Sequence, residues 1–147
     1  MKFVVDTNIV FSAVLNTDGK IGDLLLNSKG VFQFFSCDTL RTELSAHKAE
    51  LIQISELNEA QIEQSIYLIT RQIEFTDEAL IPFEYWNKSA LLVRDIDMND
   101  IAFIALSELL GAKLWTGDKV LMKGLVKKGY MNFATTEELY PLRTLLT

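Results

Sequence analysis

The chain has one cysteine, one histidine and two prolines among its 147 residues. A single thiol, Cys37, excludes an intrachain disulfide framework and any cysteine-rich zinc site. Pro82 and Pro141 stand alone, and no linker-like tract, low-complexity segment or internal repeat interrupts the sequence. No apolar run reaches the roughly 18–20 residues needed to span a bilayer. The opening MKFVVDTN has one lysine and an apolar stretch too short to resemble a signal peptide, so the expectation is a cytoplasmic protein without a membrane role. Cationic charge is also scarce: 14 Lys and Arg face 20 Asp and Glu, a net −6. That weighs against a protein holding nucleic acid by a broad basic face. It does not weigh against an enzyme that handles phosphates through a metal ion, because the site of such an enzyme is itself acidic.

What is present is a pattern of short strands alternating with helices. Hydrophobic residues make up 49% and charged residues 23%, so a packed domain over 1–147 is expected rather than disorder. Residues 2–5 read as a buried strand. Asn8–Leu15 and Ile21–Asn27 have apolar residues at helical spacing, divided by the turn signal Asp18-Gly19. GVFQFFS (30–36) is aromatic and β-branched, a second strand. Ser36 suits the N-cap of a helix running to about His47, with Asp38 in its first turn. A helix is expected over 58–74, then a short strand or loop, then a helix near 84–92. DMNDIAFIALSELLGA predicts a helix over 98–110 closed by Gly111. AKLWT (112–116) reads as a strand, 117–129 as a helix, 132–134 as a last short strand, and the remainder as a terminal helix. Such alternation implies parallel pairing and a three-layer α/β/α sandwich around a parallel sheet.

That topology locates the acids. Ligands of open parallel sheets bind beyond the carboxyl ends of the strands. Asp6 follows the first strand and Asp118 follows the 112–116 strand. Asp97 and Asp100 begin the helix that leads into the latter strand, and a crossover helix starts at the same edge. Three distant segments therefore deliver carboxylates to one rim. Asp97, Asp100 and Asp118 each also suit a helix cap, whereas Thr7 or Asn8 would serve in place of Asp6. Carboxylates that meet repel one another unless a cation intervenes, and hard oxygen ligands without Cys or His suit Mg²⁺ or Mn²⁺. His47 reads as a helix-end histidine and Cys37 as an inert, partly buried thiol. Lys119, Lys123 and Lys127 share one helix face and can contact phosphates or simply be solvated. Phe83, Tyr85 and Trp86 read as core or dimer packing. With a mean hydropathy of +0.17, these aromatics point to apolar surface beyond one small core and to a homodimer.

VVDTN (4–8), CDTLRTELSAH (37–47), DIDMNDIAFIALSELLGAKLWTGDKVL (95–121) and FATTEEL together resemble the PIN-domain family in order and spacing. The resemblance implies that Asp6, Glu43, Asp100 and Asp118 form an acidic metal-binding quartet, supported by Asn8, Thr116 and Asp97. It implies a divalent-metal-dependent endoribonuclease acting on RNA with a water nucleophile and no covalent enzyme intermediate. Many bacterial members are toxins held inactive by an antitoxin protein. Pattern alone places Glu43 about two turns, roughly 10 Å, along its helix, with Asp38 nearer the rim; only the resemblance selects Glu43. Met98 and Asn99 depart from the family, which often has a Pro and another acid there, so a weaker second metal position is expected. Two other functions compete: a catalytically silent PIN-like module that binds RNA or protein, and a phospho-accepting receiver-like domain.

Overall fold

The computed structural model describes residues 1–147. Five strands form one parallel sheet: β1 (Lys2–Val5), β2 (Gln33–Cys37), β3 (Ile73–Thr76), β4 (Lys113–Trp115) and β5 (Phe133–Ala134), in the order β3-β2-β1-β4-β5. The central strand, KFVV, buries Phe3, Val4 and Val5 in succession. An unbroken apolar run is what a strand covered on both faces requires. Nine helices do the covering. Thr7–Leu15 (α1), Lys20–Leu26 (α2) and Glu59–Thr70 (α5) pack on one another, and Thr136–Leu146 (α9) lies against α2. Phe83–Val93 (α6), Ile101–Leu110 (α7) and Lys119–Lys127 (α8) form a second group, with α7 on β1, β2 and β4. The expected α/β/α sandwich is the observed architecture.

The remaining helices, Asp38–Ala46 (α3) and Lys48–Ser55 (α4), join at His47. No separate α4 is expected from the sequence pattern, because KAELIQIS buries a single residue, Leu51, and so has almost no periodic signal. Two other expectations change. The helix expected over 58–74 starts from a capping box at Asn58 but ends at Thr70, and Ile73 belongs to β3. Ile73 fits the helical stripe, yet it is buried against β2, where it pairs with Phe34. Ser36 is not a cap: it lies inside β2, and its hydroxyl donates to the Val5 carbonyl at 3.0 Å. The first turn of α3 is served from elsewhere, by Glu78, which accepts from the Thr39 amide at 2.8 Å.

The sheet order has a functional consequence. From β1 the chain moves outward through β2 to β3, then returns across β1 to continue through β4 and β5. The β1/β4 boundary is thus the topological switch point, where crossovers diverge and leave a crevice at the carboxyl edge. The corner between α1 and α2 is tight, since a Cβ on Gly22 would sit 2.3 Å from the Thr17 carbonyl oxygen. Backbone cannot yield there as a side chain does. Gly22→Ala is expected to cost on the order of 1–3 kcal/mol, measured as a lowered midpoint in urea unfolding with an unchanged slope.

Candidate functional site

At the switch point Asp6 leaves β1 and starts α1. It is buried, with 4% of its surface exposed. One oxygen, Oδ1, accepts from the Ile9 amide at 3.0 Å as the N-cap of α1, while Oδ2 accepts from the Thr116 hydroxyl at 2.6 Å. The expectation that Thr7 or Asn8 would cap this helix is therefore corrected: Asp6 does so itself. Thr116, fully buried just after β4, also accepts from the Asp118 amide at 3.1 Å. Asp118 caps α8 by accepting from the Leu121 amide at 3.0 Å through Oδ1. Asp97 caps a 3-10 turn (Met98–Asp100) by accepting from Asn99 at 2.9 Å. Capping and membership of the cluster are compatible, because a carboxylate that caps with one oxygen keeps the other for a ligand.

Asp6, Glu43, Asp97, Asp100 and Asp118 line one cavity of about 400 Å³. Its other walls include Thr7, Asn8, His47 and Phe103. Glu43, placed on a solvated helix flank by pattern alone, reaches this cavity; Asp38 is exposed and lies outside it. The helical register explains His47 too, since it follows Glu43 by four residues and shares its face. Its ring packs edge-on to Phe11, and Nδ1 lies 3.4 Å from Glu50. The sequence reading missed His47, Thr7 and Phe103 as wall residues; the four-residue spacing from Glu43 was the available signal for His47. A larger concavity, about 740 Å³, surrounds Met1, Gln33 and Ile73 at the amino ends of the strands. It contains one carboxylate, Glu74, and size alone does not make it the site.

The electrostatics follow from the geometry. Burial pushes Asp6 up to about 6, against the hydrogen bonds from Thr116 and Ile9, and the charges of Asp118 and Glu43 push the same way as burial. Burial likewise pushes Asp100 up to about 7, helped by the charges of Asp97, Asp6, Asp118 and Glu43. Asp100 Oδ2 is buried without any hydrogen-bond partner. A hard cation fits this donor set: all-oxygen, anionic and with one oxygen unspent. No three of these side chains, here or elsewhere in the chain, already close on an ion. The arrangement is an open anionic cleft that a cation would draw together.

Residues outside the cleft behave differently. Lys119, Lys123 and Lys127 are exposed on α8 as expected, with Leu121 and Leu125 buried beneath. Lys128 instead binds Asp95 and the Leu92 carbonyl. Cys37 is buried, and burial together with Glu78 pushes its thiol up to about 12, so it is no nucleophile. Tyr85 and Trp86 pack partly on the core, Trp86 donating to the Ile81 carbonyl at 3.2 Å, but Phe83 is 80% exposed. A third strand ending at an acid does exist, since Asp77 follows β3. It lies at the sheet edge, caps a 3-10 turn and does not line the cleft, unlike the central acceptor that a receiver-like domain needs.

An all-parallel sheet with carboxylates gathered at its switch point defines an α/β protein with an anionic carboxyl-edge cleft. The sequence profile described as PIN domain matches residues 4–140, and the chain belongs to that family. No protein of curated function matches it at a significant level. Among solved structures, VapBC2 from Rickettsia felis, bound to a DNA fragment from its promoter, aligns at a TM-score of 0.65 and 16% identity, covering 92% of this chain and 97% of that one. PAE2754 from Pyrobaculum aerophilum aligns at 0.71 and 12% identity, covering 99% and 90%. At these identities the likeness is one of fold.

The raised carboxyls predict how stability depends on pH. Well below the ordinary aspartate value of 3.8, Asp6 and Asp100 are protonated whether the chain is folded or not. As pH rises toward 7 the unfolded chain ionises first, so stability is lost across this window. Metal-free protein is expected to melt several degrees lower at pH 7.5 than at pH 5. Asp100→Asn should remove much of that difference; calorimetry in chelator measures both.

Proposed function

We propose that the chain is a divalent-metal-dependent endoribonuclease, with residues 1–147 forming one nuclease domain that cleaves single-stranded RNA. The observation that carries this reading is the convergence of Asp6, Glu43, Asp97, Asp100 and Asp118 on one open cleft, with a buried oxygen of Asp100 unpartnered. Asp6, Glu43, Asp100 and Asp118 would hold Mg²⁺ or Mn²⁺. A bound ion of this kind supplies Lewis acidity toward a phosphoryl oxygen and lowers the pKa of water.

The chain's own residues do the positioning. Thr116 fixes both Asp6 and the backbone of Asp118, so the acids after β1 and β4 are held in register. Asn8 and Asp97 stand on the rim to orient substrate or water. The lysine face of α8 offsets the negative cleft, with Lys123 and Lys127 about 6 and 12 Å farther along the helix than Lys119. Such a stripe steers the RNA backbone by charge. Water attacks phosphorus and the P–O bond breaks without a covalent enzyme intermediate, in keeping with the inertness of Cys37.

Membership of the PIN domain family and the fold likeness to VapBC2 support a toxin role, with a separate antitoxin protein as its inhibitor. Exposed Leu80 and Phe83 supply apolar surface for a homodimer. A cytoplasmic site of action completes the reading; no helix of the chain is long and apolar enough to cross a membrane. A catalytically silent binding module is the second reading.

Two outcomes separate these readings. Single-stranded RNA should be cleaved in Mg²⁺ or Mn²⁺ and left intact in chelator. Asp6→Asn or Asp118→Asn should slow cleavage roughly a hundredfold or more while circular dichroism stays unchanged. Folded wild-type protein that cleaves no RNA with either metal would leave the silent module standing.

A further inference from the structure

A second cavity, about 500 Å³, opens beside the anionic cleft and shares Asn8 and Asp118 with it. It lies between α1, the start of α2, the β4–α8 turn and the first turn of α9. Its walls differ in kind from those of the cleft. Ile9, Ile21 and Met122 supply apolar surface, and Gly117, next to the shared Asp118, contributes no side chain. A Cβ at Gly117 would meet nothing within 4 Å, so the space beside it is open. An apolar-walled recess of this size is suited to a small planar ligand, and a methionine is well suited to pack on an aromatic ring.

The polar groups narrow the choice of ligand. Two hydroxyls at the start of α9 are already committed: Thr136 accepts from the Trp115 indole at 3.1 Å, and Thr135 donates to Glu138. Two charged side chains lining the cavity, Lys119 and Glu137, have no ion-pair or side-chain hydrogen-bond partner and do not pair with each other. One is a donor alone and the other an acceptor alone. An unpaired guanine matches that pair. Its Watson–Crick edge has the O6 acceptor beside two donors, N1–H and N2–H, and a carboxylate can accept both. Adenine and cytosine offer one amino donor beside an acceptor, and uracil has a single donor between two acceptors. Recognition of an unstacked base by its Watson–Crick edge is how single-stranded RNA is read.

We propose that this cavity is a guanine-binding subsite, in which Glu137 accepts from N1–H and N2–H, Lys119 donates to O6, and Ile9, Ile21 and Met122 pack on the ring. Lys119 is thereby set apart from Lys123 and Lys127, which remain on the backbone track. The subsite rests on the nuclease reading for its biological substrate, because it places a guanine next to the scissile phosphate. Its ligand chemistry is independent of metal and of cleavage.

The test uses nucleosides, which carry no phosphate. Guanosine, inosine, adenosine, cytidine and uridine are titrated into the full chain in chelator and followed by NMR. Guanosine should bind at least about tenfold more tightly than adenosine, cytidine or uridine, with shifts at Ile9, Ile21 and Met122. Inosine, lacking the 2-amino group, should fall between. Glu137→Ala and Lys119→Ala, both at exposed positions, should each weaken guanosine several-fold and erase its advantage. Equal binding of all five nucleosides, or a guanosine preference that survives Glu137→Ala, overturns the proposal. Cleavage sites in RNA are mapped separately with Mn²⁺. Guanosine selectivity without cleavage would sink the nuclease reading and keep the subsite; cleavage without guanosine selectivity would do the reverse.

Discussion

The structure depends on one buried carboxylate at the point where the sheet reverses its order. Asp6 joins three elements at once: it ends β1, caps α1 through Oδ1 and receives the Thr116 hydroxyl from β4 through Oδ2. An ionised group at this depth is unfavourable unless it is paired and hydrogen-bonded. The two bonds reduce the penalty without removing it, and the carboxyl stays above its usual range. Fold and site are therefore in tension at one residue. Helix capping and strand register favour an acid there; desolvation and neighbouring charge oppose its ionisation.

The other acids repeat the arrangement in weaker form. Asp97 and Asp118 use one oxygen locally, which fixes their rotamers, and both line the common cavity. Asp100 lacks such an anchor, which is why its unpartnered oxygen and raised pKa mark it as the member most in need of a cation. Pre-orientation by capping has a functional logic, since ligands held by backbone amides lose little freedom when an ion binds. The same geometry does not bring three of the acidic side chains together on one point. An open cleft results, not a finished cage.

Charge is distributed in keeping with this division. Anionic groups collect at the carboxyl edge, and the exposed Lys119, Lys123 and Lys127 share α8, the helix that Asp118 caps. Lys128, on the same helix, is consumed in holding Asp95 beside the end of α6. The apolar residues Leu80 and Phe83 are exposed and line neither cavity. A net charge of −6 thus coexists with a nucleic-acid reading because the cationic groups are local.

Much of this was legible in the residues. The consecutive burial of Phe3, Val4 and Val5, the helix start at Asn58 and Gly111 beyond α7 are local signals, each with a local cause. So was the arrival of Asp6, Asp97, Asp100 and Asp118 at one edge, because parallel topology follows from alternation and strand ends from composition. Ser36 and Ile73 were misread because hydroxyls suit caps as well as strands, and isoleucine fits both a helical stripe and a short strand. Helix α4 escaped because burying Leu51 alone leaves no period. Pattern alone did not bring Glu43 to the cleft and only the family resemblance selected it, since the tilt of α3 against α1 is not encoded in spacing; His47 follows from Glu43 by its four-residue offset. The sequence by itself determined which acids stand at the strand ends. Tertiary structure decided which oxygens are spent on backbone amides and which remain for a ligand, because that choice depends on contacts between segments as distant as Asp6 and Thr116.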